Sequence, residues 1–131
     1  MITEQIEHLT IQQAAERTGL SVHTLRYYER VGLLAPVGRA ANGHRRYAEI
    51  DLRRIEFLNK LRSTGMPIRQ MRVFAALLEE GDTSIPERLA LLQAHQETVR
   101  CYIEDLQRNL SAIDYKIQLY TEKLEGEHRK G

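Results

Sequence analysis

Cysteine is almost missing from this chain. Cys101 is the only one in 131 residues, so no disulfide framework can form within it. One thiol cannot build a soft-metal site. The five histidines, His8, His23, His44, His95 and His128, are scattered and show no ligand spacing. No metal and no cofactor are expected. No stretch approaches the length of a membrane-spanning helix. The first nine residues carry Glu4 and Glu7, where a secretory leader would be basic and then apolar. The chain is therefore expected in the cytoplasm, with no membrane partner. It also lacks a nucleophile–base pair, a phosphate loop and a paired-carboxylate constellation, so an enzyme is not expected.

What is present is a globular composition, 42% hydrophobic and 28% charged. The net charge of +1 is unevenly spread. Met1–Ala75 holds 12 Lys/Arg against 7 Asp/Glu, or +5, and Ala76–Gly131 holds 7 against 11, or −4. A basic first half and an acidic second half suggest that only the first approaches a polyanion.

Thr10 can cap a short helix over Ile11–Arg17, and Gly19 can end it in the left-handed conformation. Ser21 can cap a second helix reaching about Val31, with Val22, Leu25 and Tyr28 on its inner face. Two short helices joined by Thr18-Gly19-Leu20-Ser21 match a helix-turn-helix at about 11–31, although purely structural hairpins look similar. Pro36 then stops helix propagation, and Asn42-Gly43 signals a hairpin turn. Its short arms read as a β-ribbon wing at about 35–47. A third helix is expected over Glu49–Thr64, with Leu52, Ile55, Leu58 and Leu61 as its inner stripe. Gly65 ends it, and Pro67 opens a fourth helix running to about Glu80, buried through Ile68, Met71, Ala75 and Leu78. These elements make one domain at 8–80, and Gly81-Asp82-Thr83-Ser84 is the break after it.

The last element is the clearest. Ile85, Leu89, Leu92, Gln96, Val99, Ile103, Leu106, Leu110, Ile113, Ile117, Tyr120 and Leu124 alternate steps of four and three. Only Gln96 interrupts the apolar run. This heptad stripe implies a dimerisation helix at 83–125, paired most simply with a second copy, and a disordered tail at 126–131. The seam by itself does not fix strand direction. The fold class expected is mainly α, a winged helix-turn-helix followed by a coiled-coil helix.

Several runs carry a resemblance. They are Thr10–Leu34, with Arg26-Tyr27-Tyr28-Glu29 and Gly32-Leu33-Leu34; Asn42-Gly43-His44-Arg45-Arg46-Tyr47; Asp51-Leu52; and Arg62-x-x-Gly65-Met66-x-Ile68. In this order they resemble the MerR family of bacterial transcription regulators. The resemblance implies a homodimer held by an antiparallel coiled coil, each subunit offering a winged helix to one half-site of double-stranded promoter DNA. It further implies that the dimer bends and untwists an overlong promoter spacer, so that RNA polymerase engages both promoter elements.

On the second helix, His23, Thr24, Tyr27 and Arg30 face away from the inner stripe, with Arg26 at its edge; Ser21, the cap, is counted with them. This is the face a recognition helix turns to the major groove; the bland alternative is a solvated face. In the wing, Arg45, Arg46 and Tyr47 form a basic-aromatic cluster of the kind that grips phosphate without reading sequence. Tyr47 also suits a core position. The resemblance implies a second wing at the start of the fourth helix, where Arg69 is the best candidate. Dimerisation falls to Ile85, Leu89, Leu92, Val99, Ile103, Leu106, Leu110, Ile113 and Ile117.

The signal is not legible. Thr83 and Ser84 stand where the family's metal sensors begin with cysteine, and Lys60 stands where some small members carry a reactive cysteine. Cys101 falls at heptad position f, off the seam; it is a thiol-sensor candidate or an incidental cysteine. Two other readings stay open: an architectural DNA-binding protein with no signal response, which would not need so long a dimerisation helix, and a coiled-coil adaptor, which leaves the basic wing unexplained.

Overall fold

The computed structural model describes residues 8–34 and 47–130. Five α-helices are found among them: α1 (Ile11–Thr18), α2 (Val22–Arg30), α3 (Glu49–Ser63), α4 (Ile68–Glu79) and α5 (Ile85–Lys130). A 3-10 turn at Gly81–Ser84 precedes α5. The chain divides into two compact units, Met1–Leu92 and Gln93–Gly131.

In the first unit, local chemistry sets the helix ends. Thr10 accepts the Gln13 amide at 3.2 Å, and the Gln13 side chain accepts the Thr10 amide at 2.9 Å, a reciprocal cap. Ser21 accepts the Thr24 amide at 3.0 Å at the start of α2. Gly19, with φ 75°, turns the chain out of α1, a conformation that strains any residue bearing a Cβ. The Asp51 carboxylate accepts the Ala48 amide at 2.8 Å and closes the first turn of α3.

The core is one cluster. Leu25 and Tyr28 of α2, Leu52, Ile55, Leu58 and Leu61 of α3, and Met71 and Phe74 of α4 are buried in it with Ala14, Leu33, Leu34, Tyr47 and Met66. The inner stripe expected for α3 is buried in full. In α4, Met71 and Ala75 are buried as expected, Ile68 and Leu78 are only half-buried, and Phe74 takes a deep place that the sequence reading missed. Pro67 caps α4 from outside its first turn. Two exposed ion pairs tie helices together, Arg17–Glu49 between α1 and α3 at 2.9 Å and Arg54–Glu79 between α3 and α4 at 3.0 Å. Each adds at most about 1 kcal/mol.

The segment expected as a break, Gly81–Ser84, is an ordered turn. The Ser84 side chain is buried, and its one hydroxyl proton is shared between the carbonyls of Leu77 and Gly81. Arg88 donates to the Ser84 hydroxyl at 3.0 Å and to the Gly81 carbonyl at 2.7 Å. Polar burial of this kind requires satisfied partners, and here the turn supplies them.

The second unit is the remainder of α5. The helix runs through Gly126 to Lys130 and so passes the boundary expected at 125. Gly126 has open space around it and lowers helix propensity without stopping the helix; Arg129 suits the negative end of the helix dipole. The heptad stripe lies largely in water: Ile103, Leu106, Leu110, Ile113 and Ile117 are each between 47% and 59% exposed. No helix among the described residues is long and apolar enough to cross a membrane.

Candidate nucleic-acid interface

The helix-turn-helix is built as its sequence requires. α1 and α2 pack on α3 through Ala14, Leu25 and Tyr28, and the turn between them is closed by Gly19 and the Ser21 cap. This leaves one polar side of α2 outward. His23, Arg26 and Arg30 are exposed. His23 and Arg26 make no hydrogen bond or ion pair among the described residues, so the fold leaves their donors for an outside partner. Thr24 is half-buried; its hydroxyl lies 2.9 Å from that of Ser21, so the two form one capping group.

Tyr27 departs from the expected outward face. It is half-buried and packs against the core cluster, its ring centroid 6.4 Å from that of Tyr28. Arg30 stacks over its outer side, the guanidinium carbon 5.9 Å from the ring centroid. Tyr27 thus serves the fold with one side of its ring. Tyr28 belongs to the core, as expected. Arg62 of α3 lies over the Tyr28 ring at 5.9 Å. The neighbouring Tyr28 side chain raises the Arg62 pKa above its ordinary value.

The expected wing lies outside the described residues up to residue 46, and Arg45 and Arg46 with it. Tyr47 is described, and its placement corrects the expectation of a phosphate contact. It is fully buried, which leaves the core reading and takes its ring off the surface. Its backbone pairs antiparallel with Leu9, exchanging hydrogen bonds of 2.7 Å in both directions. This bridge joins the chain entering α1 to the chain entering α3. The sequence reading missed it because the pairing is long-range and Leu9 shows no strand pattern of its own.

Arg69 and Arg72 are exposed in the first two turns of α4, with no ion pair among the described residues. A helix start favours anions. Among the described residues no group of His, Cys, Asp and Glu is placed to hold a metal ion. Cys101 is exposed, its sulfur 3.9 Å from a Glu97 carboxylate oxygen.

A capped helix pair packed on α3, with a polar and basic face of its second helix turned outward, is the arrangement of a helix-turn-helix DNA-binding domain. The family described as "MerR HTH family regulatory protein" matches residues 9–81, and "MerR, DNA binding" matches 52–115. The chain belongs to the MerR HTH family of transcription regulators.

Several of its relatives are of similar length. An uncharacterized HTH-type transcriptional regulator of Haemophilus influenzae is 40% identical over 111 residues, covering 85% of this chain and 82% of its own. Among solved structures, HiNmlR, a MerR family regulator lacking the sensor domain and bound to promoter DNA, shares 38% identity with a TM-score of 0.80. That match covers 88% of this chain and 91% of HiNmlR. A MerR family regulator from Listeria monocytogenes shares 36% identity with a TM-score of 0.81, over 86% of this chain and 85% of its own.

Proposed function

We propose that this regulator binds double-stranded promoter DNA as a homodimer and distorts the spacer between promoter elements so that RNA polymerase can engage both. The observation that carries this reading is the outward face of α2. His23, Arg26 and Arg30 are exposed on a helix whose opposite side is locked into the core. Ser21 and Thr24 sit at the positive end of α2 and suit a phosphate or a base edge. Arg45 and Arg46 of the wing and Arg69 of α4 are assigned to the flanking backbone, where they position without reading sequence.

The dimer is assigned to the α5 stripe, Ile85, Leu89, Leu92, Val99, Ile103, Leu106, Leu110, Ile113 and Ile117, in an antiparallel coiled coil. A stripe of this length half-open to water is an unfilled interface. HiNmlR, so similar in length and fold, is a regulator bound to promoter DNA without a sensor domain, which supports the same arrangement here. The work the protein does is mechanical: contact energy from two half-sites is stored as bend and twist between them.

Footprinting on the DNA upstream of the protein's own gene tests this. Protection on both sides of a promoter spacer, with reactivity at its centre that reports altered twist, is the expected result. Equal binding to any duplex with no promoter preference refutes it and favours an architectural role.

A further inference from the structure

The first two turns of α5 belong to the first unit and are held to it at two places. The first hold is polar. Ser84, just before α5, is buried, and its hydroxyl faces the carbonyl of Leu77 in the last turn of α4 and that of Gly81. One turn on, Arg88 closes over this group. Its Nε donates to the Ser84 hydroxyl at 3.0 Å, and a terminal nitrogen donates to the Gly81 carbonyl at 2.7 Å. The second hold is apolar: Leu91 and Leu92 are half-buried against the core cluster. Ser84, Arg88, Leu91 and Leu92 follow one another at helical spacing and share one face. Ile85 and Leu89, on the neighbouring face, stay about half-exposed.

Arg88 is half-buried and makes no ion pair among the described residues. Drawing a charge partly out of water costs free energy that neutral acceptors return only in part. What a guanidinium adds over a small cap is geometry, since its planar fork binds two acceptors at a fixed separation. Here the fork spans the turn that precedes α5 and the hydroxyl at its root.

We infer that the Ser84–Arg88 clasp is a positioning element that fixes the direction in which α5 leaves the DNA-binding unit, and so decides which separation of half-sites the dimer accepts. The inference rests on the paired half-site reading proposed above. A helix held at one point can swivel about it. A second hold at Leu92, about 6 Å further along the axis at 1.5 Å per residue, removes that freedom. α5 then continues without a break to Lys130 and carries the dimerisation stripe on the same helix. A reading head on a swivel accepts several half-site spacings, and a head held in one direction accepts one. The role of Arg88 runs through the helix it aims, not through a contact with DNA.

A series of duplexes tests this on the full-length protein. The footprinted promoter site is remade with the spacing between half-sites shortened or lengthened by one or two base pairs. Each step moves one half-site by about 3.4 Å and about a tenth of a turn. The wild-type chain is expected to bind one spacing about tenfold more tightly than spacings two base pairs away, because the duplex must otherwise be deformed to fit. Arg88→Ala is expected to cut that preference to about threefold or less, through lost preorganisation. Its affinity for a single half-site should stay within about twofold of wild type, because no contact of α2 is removed. Arg88→Lys keeps the charge without the fork and should fall between the two. The preference is a ratio between duplexes measured on the same folded protein, so a lower melting temperature alone does not move it. A wild-type spacing profile in both variants overturns the clasp's role. A wild-type chain that binds every spacing and a lone half-site equally overturns the paired reading beneath it.

Discussion

Replacing Arg26 by Ala isolates the recognition face from the fold. Arg26 is exposed and makes no hydrogen bond or ion pair among the described residues. Its loss therefore removes no contact that holds α2 in place, and alanine is the better helix former. Stability should change by less than about 0.5 kcal/mol. DNA binding should change far more. A phosphate contact contributes a slope of about −0.9 to log K against log salt for each charge neutralised. A dimer presents Arg26 twice, so the slope should become shallower by about 1.8. If Arg26 instead reaches a base edge, the cost falls on the specific site alone, about 1–3 kcal/mol per contact. Fluorescence anisotropy over a potassium chloride series, on the specific duplex and on an unrelated one, separates the two outcomes. Circular dichroism melting guards against misfolding. Wild-type affinity and slope on both duplexes would refute the assignment of this face to DNA.

Other substitutions probe the rest of the molecule. Leu58→Ala empties a fully buried position and should cost about 2–5 kcal/mol in urea unfolding of the chain. Ser84→Ala leaves the Leu77 and Gly81 carbonyls and the Arg88 guanidinium without their shared hydroxyl; a loss of about 1–3 kcal/mol is expected by thermal unfolding. Ile113→Asp places a charge within the proposed seam. It should give a monomer by sedimentation while the first unit keeps its helical signal, and a stable dimer would contradict the seam assignment. Alkylation of the exposed Cys101 should leave DNA affinity unchanged, and a clear loss would mark this thiol as the signal's entry point.

The parts read correctly from sequence are those whose cause is local. Thr10 and Ser21 announce their helices because a cap needs only the three residues that follow it. Leu52, Ile55, Leu58 and Leu61 are buried because one period repeated across a whole helix admits one inner face. The misreadings arise where packing between distant segments decides. Phe74 is buried by its meeting with Phe57, which no pattern within α4 announces. The outward expectation for Tyr27 is met only in part, because a large ring at the edge of a helix can lie back on the core while its outer side stays open. Ser84 is buried by a turn that supplies it with carbonyls, so its polarity misleads. Tyr47 is buried and pairs with Leu9, 38 residues earlier, a contact with no trace in either neighbourhood. The exposed face of α2 was legible in His23, Arg26 and Arg30, because polarity opposite a buried stripe is again a local pattern.

The water-facing stripe of α5 has a consequence for how the regulator responds to its own abundance. In the proposed dimer, half-sites are read in pairs, and that stripe ties each reading head to its twin. Below the dimer dissociation constant, the population of paired heads rises with the square of the chain concentration. Occupancy of a promoter then rises more steeply than in proportion to copy number. A doubling of the chain would raise the paired heads about fourfold.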